Sequence, residues 1–173
     1  KLRFDQYCRR YIFQPLGIDA SYNVTDIRDI NTVAVLYRNV DGKWTPQTDN
    51  YSGKAPVLSN LSEYCPGTNA GKFGPQGGLR CSAADLAKIY MRLMNMNNTS
   101  DLLKPITIKK MFSPRWSFNG ENGDFYHGLF RSWGLGIHLI TSTTGNDVVL
   151  KSSKKMVGHS GDAYGLASSA YFD

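Results

Sequence analysis

Apolar positions along the chain follow first a helical and then a strand-like rhythm. Phe4, Tyr7, Cys8, Tyr11 and Ile12 recur at i, i+3, i+4, i+7 and i+8, with Gln6, Arg9 and Arg10 on other faces. That period predicts an amphipathic helix. Pro15 and Gly17 close it, because proline disfavours helical geometry in the residue before it and glycine suits a left-handed cap. The clearest helix lies further on, where Leu86, Ile89, Tyr90, Leu93 and Met94 form one stripe. Ser82 stands at its N-cap, and Asp85, three residues later, makes a capping-box-like arrangement. Residues 95–100 end it. A short helix is expected over residues 105–112, closed by Ser113-Pro114.

The remaining apolar runs are short. A β-branched stretch over residues 32–37 is followed by the turn signal Asp41-Gly42. Residues 41–78 are rich in Gly, Pro, Asn, Ser and Thr and keep no period; loops of that length tend to border a site or pack over one. Beyond Trp133 the runs 134–141, 148–151, 156–160 and 166–172 are split by Gly, Asn, Asp and Lys turns. Consecutive strands with short connections predict an antiparallel meander. The fold class is α+β, with residues 1–132 mainly helix and loop and residues 133–173 antiparallel strands.

Composition adds limits rather than a function. The 173 residues suffice for one domain with a core, and 41% apolar with 20% charged residues is ordinary for a globular protein. No apolar run approaches a membrane span. Opening on Lys1 inside a helical pattern reads as a fragment boundary. The net charge of +6 comes in small separated groups, Arg9-Arg10, Lys109-Lys110 and Lys151 with Lys154-Lys155. Scattered solvated charge explains it better than a nucleic-acid surface, which calls for basic patches interleaved with aromatics. Cys8, Cys65 and Cys81 are too few and too irregular for a disulfide framework or a zinc site. A Cys65–Cys81 bridge would leave an odd cysteine, and buried thiols are the simpler expectation.

Candidate chemistry narrows to one triplet. His127, His138 and His159 lack metal-ligand spacing, and the glycines of residues 71–78 lack that of a phosphate loop. Gly158-His159-Ser160-Gly161 is not a nucleophile elbow: Asp162 stands where a fifth glycine is required, and no histidine follows Ser160. Ser152-Ser153-Lys154-Lys155 matches Ser-x-x-Lys in letters but falls in a polar turn. Tyr37-Arg38-Asn39 matches Tyr-x-Asn on a strand-like segment. His159-Ser160-Gly161 remains. At a strand end, such a triplet can bind a carboxylate through its side chains and let a substrate lie alongside its glycine. The Asp162 N–H beyond it can face a developing oxyanion. The other reading of the same residues is a β-turn with an ordinary surface histidine.

Four segments in a fixed order carry a resemblance. They are Tyr11-Ile12-Phe13-Gln14-Pro15-Leu16-Gly17-Ile18; Gly77-Gly78-Leu79-Arg80-Cys81-Ser82-Ala83-Ala84-Asp85-Leu86-Ala87; Trp133-Gly134-Leu135-Gly136; and Gly158-His159-Ser160-Gly161 with Gly165. Together they resemble the β-lactamase-related serine hydrolases, the family of class C β-lactamases, D-Ala-D-Ala carboxypeptidases and related esterases. The resemblance implies the serine β-lactamase/penicillin-binding-protein fold, an antiparallel sheet with flanking helices, of which residues 1–173 form an incomplete domain. It implies that His159 tunes a proton relay and attracts the substrate carboxylate, and that Ser160 hydrogen-bonds that carboxylate beside Gly161. The Asp162 N–H supplies half of an oxyanion hole, and the Gly77-Gly78 turn lies near the site wall.

In that family Ser-x-x-Lys and Tyr-x-Asn precede the Pro-Leu-Gly segment, so the chain is expected to be a C-terminal portion, inactive alone. The parent reaction would be serine attack on an amide or ester, an acyl-enzyme and then its hydrolysis. No cofactor or metal is expected, and the partner is a small or peptide substrate with a carboxylate, not nucleic acid. The cell envelope or a secreted location follows from the resemblance alone. A sheet short of strands also predicts self-association or a longer chain. The alternative is a non-catalytic module that holds a carboxylate-bearing peptide.

Overall fold

The computed structural model describes residues 1–58, 61–67, 73–94, 102–150 and 154–173. Two compact units emerge: Lys1–Ile89 with Ala163–Leu166, and Tyr90–Asp162 with Ala167–Asp173.

The first unit opens with helix α1, Phe4–Cys8, which passes into a π-helical turn, Arg9–Phe13. The Gln14 N–H donates to the Arg9 carbonyl, a five-residue ring. This wider turn changes which face is buried. Phe4, Tyr7 and Tyr11 of the expected stripe are 38–53% exposed, whereas Cys8 and Phe13 are buried with Ile18 and Ala20. The stripe read at a constant helical period is therefore corrected: the core residue is Phe13, carried round by the π-turn. Asp5 is fully buried and held by Arg3 through two bonds of 3.0 and 2.9 Å, so its charge is paired. Gly17 takes the predicted left-handed cap, φ 63°.

A hairpin of β1, Leu36–Val40, and β2, Lys43–Thr48, follows. It begins later than the 32–37 run, because residues Ile30–Thr32 form a 3-10 turn capped by Asp29. It also occupies the start of the stretch read as loop. Pro46 masked that strand; it faces Tyr37 where the register shifts, in a two-stranded ribbon that tolerates a missing donor. Arg80 binds Asp49 at 2.6 and 3.0 Å, and its backbone pairs with Ser21. Cys81 is unbridged, so the Cys65–Cys81 disulfide does not form. Burial raises the Cys81 thiol to about 11, Asp85 adding to the shift and Lys88 opposing it.

Helix α2, Ala83–Met94, begins as predicted: the Ser82 hydroxyl accepts the Asp85 N–H at 3.0 Å. Leu93 is buried, while Met94 at the end of the stripe is exposed. The expected helix end at residues 95–100 lies outside the described residues. Helix α3, Pro105–Met111, starts on proline and buries Ile108 completely.

The second unit's sheet has the order β3-β4-β5-β6-β7, from Trp116–Ser117, Ser132–Trp133, His138–Leu139, Val157–Ala163 and Leu166–Phe172. The pairs β3/β4, β4/β5 and β5/β6 are antiparallel. Two features differ from the sequence expectation. A first short strand at Trp116 precedes the meander, and Val148, Val149 and Leu150 form no strand but stand 38–52% exposed. An apolar triplet without alternation carries no preference for one sheet face, and here it finds none. Ile137, Leu139, Ile140, Met156 and Phe172 are buried, and the Phe172 ring meets Phe112 and Tyr90.

Candidate active site

His159, Ser160 and Gly161 lie inside β6, which continues to Ala163, rather than at a strand end or in a turn. The strand is prolonged because Tyr164 and Gly165 form a two-residue turn with φ 57° and 78°, the conformation that matches strand twist and returns the chain as β7. Ser160, Gly161 and Asp162 line one side of a groove of about 560 Å³, with Ala167, Ser168 and Ser169 beside them. Tyr126, Leu129 and Phe130 form its apolar side. Tyr126 on that side and its chain neighbour His127 are both left-handed, φ 46° and 55°, and side chains there are strained.

His159 is exposed. Its Nδ1 lies 2.6 Å from the Ser160 carbonyl. A carbonyl only accepts, so the neutral ring carries its proton on Nδ1 and keeps a lone pair on Nε2. The ring sits edge-on to Trp133 at 5.1 Å. Trp133 in turn stacks on His138 at 5.1 Å, and Phe130 meets His138 edge-on at 5.3 Å.

His138 is fully buried on β5, across from Gly158. Its Nδ1 is 3.0 Å from the Tyr171 hydroxyl. Its Nε2 has no partner in good hydrogen-bond geometry among the described residues, although the Leu129 carbonyl favours a proton on the ring. Burial holds His138 below its ordinary 6.5; Asp147 opposes that shift and His159 adds to it. The Tyr171 phenol is raised by burial, against a hydrogen-bonding interaction with the Ser160 side chain that lowers it.

Gly158 makes this arrangement possible. A methyl there would collide with the Ala170 carbonyl and fall 2.5 Å from Tyr171 Cδ1. The absent side chain lets the Tyr171 ring lie against β6, with its hydroxyl 3.0 Å from His138 Nδ1.

The structure thus brings Ser160, Gly161 and Asp162 onto one groove, with His159 adjoining them on the same strand. The other serine-hydrolase matches fare differently. Asn39 of Tyr37-Arg38-Asn39 uses its side chain to accept the Gly42 N–H at 2.9 Å in the β1–β2 turn. Ser152 and Ser153 lie outside the described residues, as do Gly71 and the first positions of its glycine-rich run. Gly77 and Gly78 belong to the first unit. Sequence reasoning missed His138 and Tyr171. The available signal was a histidine in a run of Ile137, Leu139 and Ile140, a polar ring in an apolar strand that must find a partner when buried.

The model of the β-lactamase family matches residues 1–173, the whole chain. The chain belongs to the β-lactamase family. Among its relatives is beta-lactamase-like protein 4 of Dictyostelium discoideum, 28% identical over 70% of this chain and 19% of that protein. Among solved structures it resembles the octameric penicillin-binding protein homologue from Pyrococcus abyssi, with a TM-score of 0.57 and 20% identity over 91% of this chain and 28% of that one. The β-lactamase domain described here therefore spans about a fifth of the curated relative and over a quarter of the solved homologue. The α+β fold with its antiparallel sheet is that of the β-lactamase and penicillin-binding-protein group. Within the described residues, no helix is long and apolar enough to cross a membrane.

Proposed function

We propose that this β-lactamase-family chain supplies the substrate-binding strand of a serine hydrolase that works through an acyl-enzyme. The observation that carries the reading is the placement of Ser160, Gly161 and Asp162 together on one wall of an open groove. Ser160 hydrogen-bonds a substrate carboxylate; His159 attracts it when its ring is protonated, and the Nε2 lone pair of the neutral ring takes part in proton transfer. Gly161 lets the substrate backbone approach the strand, and the Asp162 N–H stabilises the oxyanion. The nucleophile and its lysine come from outside these 173 residues, so the chain alone does not turn over. Attack of that serine on an amide or ester carbonyl expels the leaving group, and water then releases the acyl group.

Intact-protein mass after exposure to a fluorescent penicillin and, separately, to a fluorophosphonate tests this. Labelling of a longer form carrying a Ser-x-x-Lys, but not of the 173-residue chain, is the expected result. Labelling of the chain itself at Ser152 or Ser160 would overturn the assignment of the nucleophile. A longer form that reacts with neither probe would favour a carboxylate-binding module over an enzyme.

The solved homologue is octameric, and self-association of this chain is part of the same proposal. A stable monomer across a tenfold concentration range in sedimentation would count against it.

A further inference from the structure

We propose that the Asp162 carboxylate determines specificity, and that the groove takes a zwitterionic dipeptide with its ammonium at Asp162 and its carboxylate at Ser160. The inference rests on Ser160 as the carboxylate-binding hydroxyl and on the Asp162 N–H as an oxyanion donor. Three observations carry it. Ser160 and Asp162 both line the groove, and as residues i and i+2 of one extended strand they project from the same face of β6. Asp162 is the one charged residue among those lining the groove, and its carboxylate joins no ion pair among the described residues. The apolar side of the groove presents Tyr126, 52% exposed, with its ring stacked on Phe130 at 5.4 Å.

A ligand that fills the groove takes water from this carboxylate, which weakens binding unless the ligand brings a cation. The exposed aromatic ring of Tyr126 favours the same charge. Spacing sets the length of the ligand. Two residues of strand cover about 6.6 Å, and an extended dipeptide spans about 7 Å. A dipeptide lying along β6 therefore reaches Ser160 with its carboxylate and Asp162 with its ammonium, and its peptide carbonyl falls between them. The ammonium also resolves a conflict within Asp162. The carboxylate repels the negative charge that the N–H of the same residue stabilises, and a cation one carbon from the reacting carbonyl offsets that repulsion. A substrate with an acylated amine leaves the repulsion in place.

The test titrates the intact protein by NMR with glycylglycine, N-acetylglycylglycine and glycylglycinamide. Glycylglycine should bind about two- to fivefold more tightly than its N-acetyl form, the effect of a solvent-exposed ion pair. Asp162 is exposed, so Asp162→Asn keeps the fold and the backbone N–H while removing the charge. That variant should lose the preference by weakening glycylglycine and leaving N-acetylglycylglycine no weaker. Ser160→Ala should weaken both carboxylate ligands and keep the preference. Glycylglycinamide, which has the ammonium but no carboxylate, should respond to Asp162→Asn and not to Ser160→Ala. A preference that survives Asp162→Asn, or none in the unmodified protein, would overturn the inference and leave the carboxylate reading of Ser160 intact. Indifference of both carboxylate ligands to Ser160→Ala would instead sink that reading, and the dipeptide with it. Absence of saturable glycylglycine binding would also overturn the inference.

Discussion

The two hairpins of this molecule turn on nearly the same device and end in different environments. β1–β2 turns through Asp41 and Gly42, φ 52° and 81°, and β6–β7 through Tyr164 and Gly165, φ 57° and 78°. Both are two-residue turns with two left-handed positions, the geometry that suits the right-handed twist of paired strands. The first hairpin remains a two-stranded ribbon, with four of the five β1 residues exposed. The second continues a five-stranded sheet and places Gly158 beneath Tyr171 and beside His138. The turn decides that two strands pair. What lies on the outer edge of the pair decides whether it stays a ribbon or joins a larger sheet.

Three perturbations would break or sharpen that contrast. The largest effect is expected from Gly158→Ala, a buried position in the second hairpin. The added methyl meets the Ala170 carbonyl and the Tyr171 ring, so we expect a loss of about 3 kcal/mol in urea denaturation. A loss below about 1 kcal/mol would show that β6 and β7 separate easily.

His138→Asn comes next, with a loss of about 2 kcal/mol at neutral pH from disrupting a buried pair. It also changes the pH dependence. The fold holds His138 below its ordinary 6.5, so as pH falls through that range the unfolded chain takes the proton first and native stability declines. That contribution is fully present above 6.5 and is lost as pH drops through the depressed native value. Between pH 7.5 and 5.5 the unmodified protein should therefore lose more stability than the variant; parallel pH profiles would refute the assignment.

The smallest effect is expected in the open hairpin. A methyl at Gly42 meets nothing within 4 Å, so Gly42→Ala pays only for its left-handed backbone, about 1 kcal/mol. A loss as large as that of Gly158→Ala would erase the distinction between the hairpins.

Local chemistry in the sequence determined a good deal. Ser82 capped a helix because its hydroxyl reaches a backbone N–H three residues on, a distance set by the helix itself. Pro105 opened another, and Asp41-Gly42 turned a strand, for reasons equally confined to neighbours. The order of short motifs identified the family, and His159-Ser160-Gly161 was legible as a candidate site segment. Tertiary structure decided the rest. A π-turn, which no periodicity announces, moved burial from Tyr11 to Phe13. Val148–Leu150 stayed outside the sheet and exposed even though the run is apolar. The joining of His138 to Tyr171, 33 residues apart, depended on two strands that flank β6 and on a glycine between them. Hydrogen bonds between neighbours are encoded by spacing along the chain; those between distant strands exist only once the sheet order and register have formed.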